Sequence, residues 1–137
     1  MRLIACVDDR GGMAFHQRRQ SRDRVVRQHI LADASGGRLW MNAYSAGQFS
    51  PEEREGLLVA EDFWDRAERG DFCFVEDRSP LPWLDRLEEV RLYRWNRAYP
   101  ADVHLGLPLD SPDWTLTSRE EFPGWSHDVI TKEVYRR

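Results

Sequence analysis

Apolar residues along the chain fall into short runs divided by polar punctuation. Leu3-Ile4-Ala5-Cys6-Val7 is continuously apolar, and the spacing predicts a buried strand from Arg2 to Val7. Asp8-Asp9-Arg10-Gly11-Gly12 closes it as a loop. Val25, Val26, His29 and Ile30 form a stripe at helical spacing, which predicts a helix from Ser21 to about Ala32 with Ser21 as its N-cap. Ser35-Gly36-Gly37 stops that helix, and Arg38 to Ala43 reads as a second buried strand. Ser50-Pro51-Glu52-Glu53 carries the marks of a capping box with proline at the first helical position. A short helix is expected there, reaching about Leu58, with a second helical stretch near Glu61–Glu68 closed by Gly70.

Phe72–Val75 reads as a third strand, Leu81–Glu89 as one or two helical turns, and Val90–Trp95 as a fourth strand. Val90, Leu92 and Arg94 share one of its faces, and Arg91, Tyr93 and Trp95 the other. The last third is rich in proline and extended, with strands at Trp114–Thr117 and Val129–Arg136. Helix and strand alternate early and strands dominate late. The expected fold is an α/β sandwich with a mostly parallel sheet and an antiparallel C-terminal edge. Such sheets bind ligands beyond the carboxyl ends of their strands, which draws attention to Asp8–Gln20 and Asn42–Ser45.

Composition sharpens this picture. A chain of 137 residues is the size of one domain, read here as spanning 1–137. Six Trp, four Tyr and six Phe supply a core, each ring burying about 150–250 Å². No apolar run is long enough for a membrane span, and nothing at the start reads as a secretory leader, so a cytoplasmic protein is expected. In that compartment Cys6 and Cys73, both within apolar runs, are expected as free buried thiols. The net charge of -4 argues against a general attraction to nucleic acid.

Arginine supplies nearly all the positive charge, densest in Arg18, Arg19, Arg22, Arg24 and Arg27. That run is either a solvated helix face or a seat for an anion such as a carboxylate, phosphate or RNA backbone. No histidine stands at metal-ligand spacing with another His or Cys, so no metal site is expected. His29 falls on the apolar helix face and reads as a core residue, whereas His16 lies in the crevice loop. Trp125-Ser126-His127-Asp128 carries serine-triad residue types, but neighbours along a strand cannot converge. Asp8-Asp9 before glycine reads as a turn in preference to a cation site. The tryptophans Trp40, Trp83, Trp95, Trp114 and Trp125 read as core, with Trp95 or Phe15 also able to wall a flat ring.

The order of these segments resembles the dihydrofolate reductases. Leu3 to Met13 resembles that family's opening strand and acidic-glycine loop, and Asp23 stands at the spacing of its acid at the first helix. Leu39-Trp40-Met41 leads to Asn42-Ala43-Tyr44-Ser45, where the family has Met-Gly-Arg-x-Thr. Leu92-Tyr93-Arg94-Trp95, Asp102-Val103-His104, Trp114, Glu120-Glu121-Phe122 and Val134-Tyr135 follow in the order of its C-terminal hairpin. The resemblance implies a three-layer sandwich and an NAD(P)H-dependent reductase of a pterin or similar flat heterocycle. It implies Asp23 as the catalytic acid, which needs a raised pKa to assist ring protonation. Surface ionisation among neighbouring arginines is the competing reading of Asp23. Val7, Phe15, His16, Arg19, Arg27 and Trp95 are the implied substrate contacts, and Asn42, Tyr44 and Ser45 the implied NADPH contacts.

The chain also departs from the family. Asn42 and Ala43 stand where the family's phosphate-binding Gly-Arg should be, and Glu76-Asp77 where its second phosphate loop has two glycines. Gln17-Arg18-Arg19-Gln20 replaces the proline and tryptophan before the acid, and Trp95 the threonine that partners it. Two alternatives to the reductase therefore stand: a small-ligand or partner-binding module that has lost the cofactor site, and an RNA-binding protein using the Arg18–Arg27 face.

Overall fold

Strand β1 (Arg2–Val7) lies inside a seven-stranded sheet, in a computed structural model that describes residues 1–137. It pairs in parallel with β6 (Phe72–Phe74) and β7 (Glu89–Arg94), with Ile4 opposite Phe74 and Val7 opposite Arg94. β4 (Leu39–Met41) and β5 (Leu57–Val59) continue the parallel half beyond β6. On the other side of β7, β10 (Ile130–Arg136) and β9 (Thr115–Phe122) run antiparallel and form the expected C-terminal edge. β2 (Gly12–Phe15), β3 (Arg18–Arg19) and β8 (Val103–His104) make a separate small sheet over the carboxyl end of β1.

Each face of the large sheet carries its own apolar layer. Helix α1 (Arg24–Asp33) buries Val26 and Ile30 against Ile4, Met41, Phe74, Tyr93 and Trp95. The opposite layer joins Leu3, Ala5, Val7, Val90 and Leu92 to Phe63, Trp64, Leu87, Leu105 and Trp114. Side chains of β7 divide as their alternation requires, with Val90 and Leu92 on one side and Tyr93 on the other. At the amino ends of the parallel strands, Asp71 accepts from Arg38 twice (3.1 and 2.7 Å), from the Trp40 indole (3.0 Å) and from the Glu68 amide (2.9 Å). Burial opposes the charge of Asp71, but Arg38 and these donors hold its pKa below the usual carboxylate value.

Several boundaries differ from the sequence expectation for local reasons. α1 begins at Arg24 because Asp23, not Ser21, caps it, accepting from the Val25 and Val26 amides. The second strand stops at Met41 because Asn42 turns to cap the four-residue helix α2 (Ala43–Ala46). The capping box at Ser50 and Glu53 is present, but helix α3 (Pro51–Arg54) is one turn long and Leu57 to Val59 is a strand. Pairing with β4 claims those apolar residues. The next helix, α4 (Phe63–Arg66), is likewise shorter than expected, and Leu81–Arg86 is a 3₁₀ turn. His29 stacks on Phe122 with centroids 3.9 Å apart, half-buried against the layer it was assigned to. Trp125 is not core at all: it is 70% exposed, with the Arg24 guanidinium over its ring.

Candidate functional site

The carboxyl ends of the parallel strands are covered by two features of the chain, the β2–β3 hairpin and the loop from Pro123 to Val129. Asp23 lies between them, 2% exposed. One carboxylate oxygen accepts from Val25 N (2.9 Å), Val26 N (3.3 Å) and Trp125 N (2.9 Å). The other accepts from Ser126 N (2.8 Å) and lies 3.2 Å from Ser126 Oγ and 3.1 Å from His127 Nδ1. Burial opposes the charge, but the Trp125 amide, His127 and the Ser126 amide hold the Asp23 pKa well below the usual value. The raised pKa expected of a ring-protonating acid is thus reversed, and the chain's own donors engage both oxygens. Gly124 permits this approach, because a Cβ there would stand 2.7 Å from the Asp23 carboxylate.

His127 is buried with Asp23. Donation from Nδ1 to the carboxylate leaves Nε2 as an acceptor, 3.2 Å from both Ser21 Oγ and Tyr99 Oη. The imidazole stacks on Trp95 at 4.6 Å between centroids. Trp95, expected as a wall for a ligand ring, is 4% exposed and spends that face on His127.

Arg19 reaches the same region from the other side. The hairpin that carries it turns through His16 and Gln17, both at positive φ (50° and 63°), as a two-residue turn between twisted strands requires. Its guanidinium forms a two-point pair with Glu76 at 2.9 and 3.2 Å and lies 4.2 Å over the Tyr44 ring. Gln48 donates a further bond to Glu76 at 3.0 Å, and the Tyr44 hydroxyl accepts from Arg19 N at 2.9 Å. Cys6, half-buried on β1, has its thiol pKa pushed up by burial, and further by the carboxylates of Glu76 and Asp23.

The residues that the family resemblance sets at the phosphate positions do not fit a dinucleotide pyrophosphate. The Ala43 amide at the start of α2 already donates to Glu61 at 2.9 Å, and Ser45 N to Asn42 Oδ1 at 2.9 Å. The Asn42 side chain in turn donates to Asp77 at 3.0 Å. Glu61 on the first amide of α2, and Glu76-Asp77 at the second of those implied positions, are carboxylates where a phosphate would need donors, and like charge would repel it. Of the three implied cofactor contacts, Asn42 caps a helix, Tyr44 supports Arg19, and Ser45 is buried with its hydroxyl unpartnered.

The implied substrate residues separate. Phe15, His16 and Arg19 line one cleft of about 380 Å³ with Arg18, Gln20, Tyr99 and Pro100. Phe15 stacks on His16 at 4.0 Å, and Arg18 on the rim is exposed. Asp8 holds the cleft's frame, accepting from Gln20 Nε2 (3.0 Å), Tyr99 N (3.2 Å) and Gly12 N (2.7 Å). Val7 packs into the opposite apolar layer, because alternation along β1 gives the crevice side to Cys6. Arg27 lines a different groove with Glu52 and Glu53, so the arginine run is spread over several surfaces. Sequence reasoning missed Ser21, Glu76 and Tyr99 as partners, and it set His127 beside Asp128 when its carboxylate is Asp23.

No family model matches the chain. A dihydrofolate reductase from Enterococcus faecalis, solved with NADP(H) and RAB-propyl, superposes with a TM-score of 0.69 over 99% of this chain and 95% of that one, at 11% identity. The chain thus has the dihydrofolate reductase fold. A peroxisomal OPC-8:0-CoA ligase of Arabidopsis thaliana is 30% identical over 100 residues, which is 72% of this chain. The chain spans 18% of that ligase's length. No helix is long and apolar enough to cross a membrane.

Proposed function

We propose that the chain is a small-ligand-binding module on the dihydrofolate reductase fold, one that has exchanged its dinucleotide site for internal ion pairs. The observation that carries this reading is the Arg19–Glu76 pair, with Gln48 and Tyr44 attached, beside phosphate positions already held by carboxylates. The ligand favoured by the cleft at Phe15, Arg18 and Tyr99 is flat and anionic. The two rings offer apolar faces, and Arg18 has no carboxylate partner within ion-pair reach.

A second reading, an NAD(P)H-dependent reductase of a pterin-like ring, is supported by the fold likeness to a reductase solved with NADP(H). Titrating tryptophan fluorescence with dihydrofolate and, separately, NADPH separates the two. The binding-module reading expects saturable quenching by dihydrofolate, weakened about tenfold by Arg18→Ala, and none by NADPH at millimolar concentration. Saturable NADPH binding, with dihydrofolate-dependent loss of its 340 nm absorbance, would establish the reductase instead.

A further inference from the structure

Ser21 and His127, which have no part in the reductase resemblance, form a nucleophile–base–acid relay with Asp23. Ser21 Oγ lies 3.2 Å from His127 Nε2, and His127 Nδ1 lies 3.1 Å from Asp23. Asp23 is buried and fixed by three backbone amides and by Ser126 N, which prevents it from swinging away from the imidazole. His127 is fixed by Trp95 beneath its ring. Ser21 is partly exposed, and Tyr99, which shares Nε2 with it, lines the arginine-bearing cleft. These are the roles of a serine hydrolase: a hydroxyl on a base, and a base held in one tautomer by an ionised carboxylate. The order along the chain is Ser21, Asp23, His127, and the last is brought in by the loop between β9 and β10.

We propose that Ser21, His127 and Asp23 form an acyl-transfer site that hydrolyses a carboxylic ester whose acyl part carries an anionic group. Ser21 Oγ attacks the ester carbonyl carbon, and its proton passes to His127 Nε2. The carbonyl π pair moves onto oxygen, where the Tyr99 hydroxyl is the donor at hand. Collapse expels the alcohol, which takes the proton from His127 and leaves Ser21 acylated. Water then attacks the acyl carbon and gives its proton to His127. The second collapse releases the carboxylic acid and returns the proton to Ser21. The net change is ester plus water to acid plus alcohol. Arg18 and His16 on the cleft rim favour an acyl group ending in a carboxylate. Only this substrate preference rests on the anionic cleft proposed above; the relay does not.

The test uses the intact chain with 4-nitrophenyl acetate and 4-nitrophenyl hemisuccinate, and a fluorophosphonate whose adduct is located by mass spectrometry. Ser21-dependent release of 4-nitrophenol is expected, faster with the hemisuccinate, with the adduct on Ser21. Ser21→Ala and His127→Gln should each lose about a hundredfold or more, while Ser111→Ala, remote from the site, keeps the rate. Hydrolysis of the acetate with no preference for the hemisuccinate would uphold the relay and overturn the anionic cleft. A rate that survives in folded Ser21→Ala, or an adduct absent from Ser21, would overturn the relay and leave the dihydrofolate titration to stand alone.

Discussion

Arg19 and Glu76 meet by two hydrogen bonds across the carboxyl ends of β1 and β6, with Glu76 only 7% exposed. Removing one partner strands a buried charge, while removing both removes the mismatch. Arg19→Met should lower unfolding free energy by roughly 3–5 kcal/mol, and Arg19→Met with Glu76→Leu by clearly less than the sum of the single changes. Urea denaturation of the four proteins reads the coupling; strict additivity would show that the pair is not energetically joined.

Acid should unfold the protein through Asp8, Asp23 and Asp71. All three have pKa values lowered by the fold, against the opposing effect of burial. Their stabilisation is therefore complete above the unfolded value, about 3.9, and is lost as pH falls through the folded values. Melting followed by circular dichroism should show little change in Tm from these groups above about pH 5 and a fall in Tm below about pH 4. Asp23→Asn should make the acid fall shallower at a lower starting Tm.

Gly124→Ala places a methyl group 2.7 Å from the Asp23 carboxylate and 2.9 Å from the His127 carbonyl. The loop must shift to admit it. A loss of about 1–3 kcal/mol is expected, with a red shift or loss of Trp95 quenching as the imidazole leaves its ring. Unchanged stability and emission would mean that the loop is not held against Asp23.

Neither cysteine should react with a thiol reagent in the folded protein. Burial pushes the Cys73 thiol up to about 12, and burial with nearby carboxylates raises Cys6 as well. At pH 8 a disulfide reagent should titrate no thiol natively and both in denaturant. Rapid reaction of one thiol without denaturant would place Cys6 in an open, electropositive setting.

Elements whose apolar pattern was continuous or sharply capped were legible: β1, β7, the start of α3, and the glycine stop after α1. β5 was not, because Leu57-Leu58-Val59 follows a capping box and reads as the tail of a helix until β4 lies beside it. The β2–β3 hairpin was hidden because its second strand is only Arg18-Arg19 and its turn uses His16 and Gln17 instead of glycine. Asp23 stood out by its place in the order of segments, but five of its donors come from Trp125, Ser126, His127 and the helix amides. The capping rule joins Asp23 to the two helix amides, but no spacing rule joins it to Trp125, Ser126 and His127, more than a hundred residues on. Val7 was misplaced because a fully apolar strand has no polar alternation to set its phase. Arg19 stood among like neighbours, and only the turn of the hairpin distinguishes it.

β1 is made early, yet its ladder partners, β6 and β7, lie far along the chain: Arg2 is opposite both Phe72 and Glu89. An apolar strand that must wait for non-local neighbours pays its loop-closure entropy before any sheet hydrogen bond forms. During synthesis it stays unpaired at least until β6 has left the ribosome, and its second edge until β7 has, so slow folding, and dependence on a holding chaperone at high expression, follow from strand order alone.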